Sequence, residues 1–293
     1  MTNNILKVVV VLFALIMVSC GDDDNAKDNQ LNLSFSGLED LGSDYAYEGW
    51  IMVDGSPKST GVFTVDGNGA LSRSNFDIDE DDLRDATAFI LTIEPSPDPD
   101  PAPSDVHIVA GDFSGDNANL VVSHPAAIGT DFTSAMGGYI LATPTDGDET
   151  NETSGVWFLD PGAGPGASLS LPTLPAGWAY EGWAVIDGTP VTTGTFTSAS
   201  GADDAAPFSG SNPGPAYPGE DFLNNAPNGL TFPTDLRGAT IVVSVEPVPD
   251  NSPNPFTLKP LVGMTASDAA DHSLLSMDNN AVATNPTGTA TKN

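Results

Sequence analysis

The sequence predicts an all-β protein: two tandem antiparallel β-sandwich (immunoglobulin-like) domains that follow a signal peptide and a flexible tether. Three observations carry this expectation. A long block recurs at a constant offset of 133 residues, the apolar runs are short and bounded by Asp-Gly or Pro-rich turns, and no long helical period appears.

The repeat comes first because it sets the architecture. Tyr47 to Thr64 reads YEGWIMVDGSPKSTGVFT, and Tyr180 to Thr197 reads YEGWAVIDGTPVTTGTFT. Downstream, Asp82-Leu83-Arg84 and the run ending Thr92-Ile93-Glu94-Pro95 match Asp235-Leu236-Arg237 and the run ending Ser244-Val245-Glu246-Pro247. After a Pro/Asp-rich loop, Val106 to Gly111 lines up with Leu258 to Gly263. Each copy therefore reads as a whole domain, spanning 31–160 and 167–293. The 161–166 linker lies in a Pro/Gly stretch expected to hold neither helix nor strand.

Within a copy the pattern is strand, turn, strand. Trp50 to Val53 leads through Asp54-Gly55-Ser56-Pro57 to Gly61–Val65, and a second Asp-Gly turn follows at Asp66-Gly67. Ala88 to Ile93 is apolar on both alternating faces, as a central strand is, and Ile241 to Val245 is its equivalent. Short runs at His107–Ala110, Leu120–Ser123, Tyr139–Thr143 and Val156–Leu159 bring the first copy to seven or eight strands, the spacing of a sandwich. The second copy has no counterpart of Val156–Leu159. It is expected to lack its last strand, with Pro286–Asn293 as a frayed tail.

The first residues carry an address. Lys7 precedes an apolar run from Val8 to Val18, too short for a bilayer span of about 20 residues but right for a signal-peptide core. Residues 1–19 are thus expected to be removed. Met17-Val18-Ser19-Cys20 resembles a bacterial lipobox, and Cys20 is the sole cysteine of the chain, so Cys20 is the expected lipid attachment. Residues 20–30 form the expected lipidated tether. Its Gly21-Asp22-Asp23-Asp24 looks like a surface-export tag, which places the protein on the cell envelope, at the outer membrane and facing outward.

Charge narrows the partners. The chain has 40 acidic and 8 basic residues; beyond the tether 36 acidic residues face six basic ones, a net of −30. Such a surface repels phosphate backbones and anionic headgroups, so no nucleic acid is expected and membrane contact runs through the lipid anchor. One cysteine allows no internal disulfide.

The order Tyr47, Trp50, Gly55-Ser56-Pro57, Gly61-Val62-Phe63, then Glu94-Pro95, a Pro-rich loop and a closing Val-Ala-Gly resembles the extracytoplasmic C-terminal domain of anti-sigma-K factors. The second copy repeats the pattern through Tyr180, Trp183, Gly188, Pro190, Gly194, Phe196, Glu246, Pro247 and Gly263. In that family the domain sits outside the membrane and one helix joins it to a cytoplasmic sigma-binding domain. Here only 19 residues precede Cys20, so the resemblance implies a sensor-like outer module without direct sigma-factor binding. Tyr47, Trp50 and Phe63 are expected to pack a sandwich core, with Gly55 supplying a turn and Pro57 fixing φ beside it.

Templates for chemistry fail: there is no HExxH, GxSxG or Walker loop, and no catalytic residue or cofactor is expected. His107, His124 and His272 are scattered along the chain. Asp77, Asp79, Glu80, Asp81, Asp82 and Asp85 imitate a calcium loop, but Asp82 stands where it needs Gly and Ala88 where it needs Glu. A solvated acidic loop without metal is the expectation. These readings point to a non-catalytic envelope module that binds or senses a protein partner. The alternatives are surface glycan capture, with Trp178 and Tyr45 as stacking platforms, and an architectural spacer.

Overall fold

The computed structural model describes residues 29–147, 150–162 and 164–293. The signal peptide, Cys20 and most of the tether lie outside the described residues.

The first half contributes β1 (Gln30–Ser36), β2 (Tyr45–Val53), β3 (Ser56–Phe63), β4 (Asn75–Asp77), helix α1 (Glu80–Asp85), β5 (Ala88–Pro95), β6 (His107–Asp112) and β7 (Asn117–Val121). Then come β8 (Gly137–Leu141), β9 (Gly155–Trp157), β10 (Leu159–Asp160) and β11 (Gly166–Ala167). The rest holds β12 (Trp178–Ile186), β13 (Thr189–Phe196), β14 (Gly219–Asp221), β15 (Thr240–Pro247), β16 (Leu261–Met264), β17 (Leu275–Asn279), α2 (Ala281–Thr284) and β18 (Thr287–Lys292).

Local chemistry sets the repeated hairpin. Asp54 and Gly55 take φ of +50° and +74°, and Asp187 and Gly188 take +50° and +81°. Two consecutive left-handed residues make the tight turn whose twist suits antiparallel strands. The register then runs Val53↔Ser56 to Tyr47↔Phe63, and Ile186↔Thr189 to Tyr180↔Phe196, with a shift at Gly49/Trp50 and at Gly182/Trp183. That bulge inserts Thr60 in one copy and Thr193 in the other. A Cβ on Gly49 would lie 2.5 Å from Thr60 Oγ1, and one on Gly182 would lie 2.2 Å from Thr193 Oγ1, so the motif glycine permits the close approach.

The strands form two eight-stranded antiparallel sheets of matching order. The first runs β3-β2-β5-β6-β7-β18-β1-β4 and the second β13-β12-β15-β16-β17-β8-β9-β14. All-β sandwich architecture is thus what the chain adopts, but strands are shared out in a way that sequence order does not suggest. β8 follows β7 in the chain yet pairs with β17 of the second sheet, through Leu275↔Tyr139 to Met277↔Gly137. β18 follows β17 yet enters the first sheet between β7 and β1, through Thr287↔Val121 to Thr291↔Asn117 and Leu31↔Lys292 to Ser36↔Thr287. The first sheet is completed by β18 from the end of the second copy, and the second by β8 and β9 from the end of the first.

Sheet membership therefore departs from the 31–160 and 167–293 division. The runs around Tyr139 and Val156, expected in the first copy, belong to the second sheet. Residues 286–293 are no frayed tail but hold a central strand of the first. Gly166, inside the stretch expected to hold no strand, pairs with Asp160 beside Leu159↔Ala167. Shape explains the exchange. Gly263 leaves room for the Tyr139 ring, which a Cβ would approach to 2.7 Å, and Tyr139 Oη lies 2.9 Å from Thr265 Oγ1. Gly288 likewise admits the Phe35 ring, 2.4 Å from where a Cβ would stand. Lys292 closes the seam by donating from Nζ to the Ala86 carbonyl at 2.7 Å while sitting 4.2 Å from the Phe113 ring centre.

One hydrophobic core runs through both halves, from Leu31, Tyr47 and Phe89 to Tyr139, Phe158 and Tyr180. Phe132, in the crossover between β7 and β8, is fully buried and meets Tyr180 edge-on at 6.4 Å. Asn279 Nδ2 donates to the carbonyls of Phe132 and Ala135 at 2.8 and 2.9 Å, tying this crossover to the end of β17.

Substituting Gly288→Ala is expected to cost about 1–3 kcal/mol, as overpacking does. Hydrogen exchange should rise in β1 and β7 while β16 and β17 stay protected. Faster exchange in β17 with β1 and β7 unchanged would show that β18 completes its own copy instead.

Candidate functional site

The repeated motif builds the same polar arrangement twice. Tyr47, Ile51 and Val53 of β2 point into the main core, whereas Trp50 faces the other side of the sheet with Ile90, Ala110 and Ala127. Trp50 Nε1 donates to Thr92 Oγ1 at 2.9 Å, the Thr92 hydroxyl donates to Glu94 Oε1, and the Ser104 N–H donates to the same oxygen at 2.9 Å. In the second copy Trp183 Nε1 donates to Ser244 Oγ at 2.8 Å, Ser244 donates to Glu246 Oε1, and the Phe256 N–H donates to it at 2.8 Å. A second carboxylate flanks each relay: Ser59 donates to Glu48 and Thr192 to Glu181. All four glutamates are buried.

Buried carboxyl groups with few partners resist ionisation. Burial pushes Glu181 up to about 7 against its bond from Thr192, and Asp250 and Asp204 add to the rise. Burial pushes Glu246 up to about 8 against the bonds from Ser244 and Phe256, with Glu181 and Asp250 again adding. Glu48 is raised by burial as well. Oε2 of Glu181 and of Glu246 meets no protein partner, which suits a neutral carboxylic acid better than an anion.

This second relay borders the junction between the copies. Lys259 donates from Nζ to the Phe256 carbonyl at 2.6 Å; its pKa is lowered by burial and lifted in part by Glu39 and Glu246. Glu39, from the first copy, is raised by burial to about 7 even though Lys259 opposes the shift. Thr257 Oγ1 donates to the Gly37 carbonyl at 2.9 Å, and Trp178 Nε1 donates to the His107 carbonyl at 3.2 Å.

A further acidic group, absent from the repeat, lies in the segment between β13 and β15. Asp221 accepts from Trp157 Nε1 at 2.7 Å and from the Thr145 N–H and hydroxyl at 2.8 and 2.5 Å. Glu220 accepts from Ser209, and Asp203 from the Gly219 N–H at 2.7 Å. Burial pushes Glu220 and Asp203 up to about 7. Asp203 lines a cavity of about 370 Å³ together with Trp157 and Asn212.

Tyr47 and Phe63 stack in the core at 5.6 Å as expected, but Trp50 lies on the opposite face and serves the relay. The stretch from Asp77 to Asp85 is not a loop throughout: Asp79 caps α1 by accepting from Asp81 and Asp82 N–H groups. Lys58 pairs with Asp82, Arg84 pairs with Asp81 and Asp85 at 2.6 and 3.1 Å, and Gln30 donates to Asp77 at 3.1 Å. Among the described residues no group of three or more His, Cys, Asp or Glu side chains has a metal-holding geometry. His107 Nδ1 lies 2.9 Å from the Ala126 carbonyl and His124 Nδ1 accepts the Ala126 N–H at 3.1 Å, so these two are brought together. His272 stands apart, 3.1 Å from Glu152. Trp178 is buried against Phe256 and Tyr45 is half-buried on the core, so they do not form a matched pair of open platforms.

Residues 23–106 match the family model described as anti-sigma-K factor rskA, C-terminal. No curated protein and no solved structure gives a significant match. The anti-sigma-like stretch spans β1 to β5 and the loop beyond, and so takes in Trp50, Thr92, Glu94 and Ser104 of the first relay.

The raised carboxyl groups fix the sign of a pH effect. Between the ordinary carboxylate range and about pH 8 the folded chain keeps protons that the unfolded chain has released, so stability falls as pH rises through that window. Glu246→Gln should flatten the fall in melting temperature between pH 7 and 8. A variant whose profile runs parallel to that of the parent would show Glu246 ionised throughout.

Proposed function

We propose that this chain is a non-catalytic module of the cell envelope, lipid-anchored through Cys20 and exposed at the outer membrane surface, that binds or senses a protein partner. The observation that carries the reading is the match of residues 23–106 to the outer domain of anti-sigma-K factors, a domain held outside the cytoplasm. The tryptophans and glutamates of the repeat support it, because they are buried in packing and internal hydrogen bonds and leave recognition to strand edges and loops. A net charge of −32 favours a partner with a basic face, since complementary charge steers encounter and rejects acidic competitors. Lipidation at Cys20 fits the same role by holding the module at one surface.

Two measurements test this. The full chain should take up labelled fatty acid and fractionate with membranes, and Cys20→Ser should lose both properties; a Cys20→Ser chain still held by the membrane would overturn the anchor. A photo-cross-linking residue at Val62, exposed on edge strand β3, or at Val248 should give a defined adduct in intact cells that weakens as salt is raised. Uniform absence of adducts from such exposed sites around the module would overturn the binding role.

A further inference from the structure

The second relay is bordered by a loop whose middle is held only through itself. Residues 248–260, between β15 and β16, form neither helix nor strand, and Val248, Pro249, Asp250, Pro253 and Asn254 are exposed. The Val248 N–H donates to the Gly177 carbonyl at 2.8 Å at one end, and the Phe256 N–H donates to Glu246 Oε1 at 2.8 Å at the other. Between these points the Ser252 and Asn254 N–H groups bond within the loop, to Asp250 Oδ1 and Ser252 Oγ at 2.9 and 3.1 Å.

Buried oxygens without a donor lie beside this loop and in it. Oε2 of Glu181, Oε2 of Glu246 and Oδ1 of Asn251 meet no protein partner. Protonated, the two carboxyls need little further solvation; ionised, they need donors that the closed structure does not supply.

Three acids from three elements face the loop. Glu181 of β12, Glu246 of β15 and Glu39 of the β1–β2 connection are all raised by burial, and Asp250 of the loop adds to the rise at each. Glu181 also raises Glu246, and Asp204, beyond β13, raises Glu181. The cation facing them is Lys259, whose pKa is lowered by burial and lifted by Glu39 and Glu246. Lys259, the Asn251 side chain and the Thr257 backbone oppose the rise at Glu39. Once all three acids ionise, four carboxylates with Asp250 share one ammonium group. Water must then reach them. β12 and β15 are paired on both sides and stay in place, whereas the loop lifts by releasing the bonds at its two ends.

We propose that residues 248–256 are a pH-operated lid beside the Glu39, Glu181 and Glu246 cluster, closed while these carboxyls hold their protons and lifted once they ionise. This does not rest on the partner reading above, and either can fail alone. The closed lid keeps protons that the lifted one releases, because in water each acid returns to the ordinary carboxylate range. Between that range and the raised values, about 7 for Glu39 and Glu181 and about 8 for Glu246, each acid multiplies the opening constant by up to about ten per pH unit. Opening therefore grows with pH and levels off above about 8.

Amide hydrogen exchange on the full chain, corrected for the intrinsic rate at each pH, reads the opening constant of residues 248–256. The expected result is a rise of about a hundredfold or more between about pH 5.5 and 7, while residues 241–245 of β15 remain far better protected. Glu246→Gln keeps the Oε1 acceptor but has no proton to release, so it should shrink that rise about tenfold or more, and adding Glu181→Gln should shrink it again. Glu181→Gln alone serves where the double variant does not fold. An opening constant that ignores pH overturns the lid, and so does a pH dependence that the glutamine variants leave unchanged. Protection equal to that of β15 at every pH would show that the loop opens only with the whole chain, which overturns it as well.

Discussion

The constraint on which the rest depends is the need of a central strand position to be filled. Both sheets run in the same order, and in both the sixth position is taken by a strand from the other copy's side of the chain, β18 in one and β8 in the other. A vacancy there would leave two rows of backbone donors and acceptors without partners, which is costlier than an open outer edge because both rows would be lost together. The two copies are consequently bound by main-chain hydrogen bonds as well as by their shared core. Separating them requires breaking into both sheets.

The second organising feature is the use of carboxyl groups as internal acceptors. In each copy an indole N–H, a hydroxyl and a backbone N–H are satisfied by a relay ending on one glutamate, so the tryptophan can be buried without stranding its donor. Thr92 in one copy and Ser244 in the other show that the hydroxyl is what the position needs. In the second copy the same economy places Glu181 and Glu246 near each other, and ionising both in that setting is opposed by burial and by mutual repulsion. The very acidic surface and the proton-holding interior thus answer to different rules: water solvates the outer carboxylates, while hydroxyls and N–H groups must serve the inner ones.

Much of the architecture was legible in the sequence. Asp54-Gly55 and Asp187-Gly188 announced their hairpins because such a pair readily takes the left-handed conformations that close so short a loop, whereas at Asp66-Gly67 the left-handed residue is Gly69; the fully apolar Ala88–Ile93 run announced a strand covered on both faces. The exchange was not legible, because short strands at even spacing carry no label for the sheet they join, and the usual adjacency of consecutive strands favours the wrong choice. Its signal lay in shape complements distant in sequence, Tyr139 with Gly263 and Phe35 with Gly288. The relays were half visible. Trp50 and Glu94 were marked as repeated residues, but period-two patterning alone did not say that Trp50 turns away from Tyr47 and Phe63. Asp203, Glu220 and Asp221 carried no repeat signal, because their segment belongs to the second copy alone.

Exchange and relay meet at the junction. The β7–β8 crossover places Phe132 against Tyr180 and Ala127 over Trp50, so one segment helps to close the main core and also covers the outer cluster of the first copy. Across the junction, Lys259 lies between the influence of Glu39 and that of Glu246, one from each copy. A change in protonation at either acid alters the electrostatics of a contact that both copies share, while the strands that cross between sheets keep the copies from answering it by moving apart. The two tandem repeats are in this way joined by one hydrophobic core and by strands drawn from both sides of the chain.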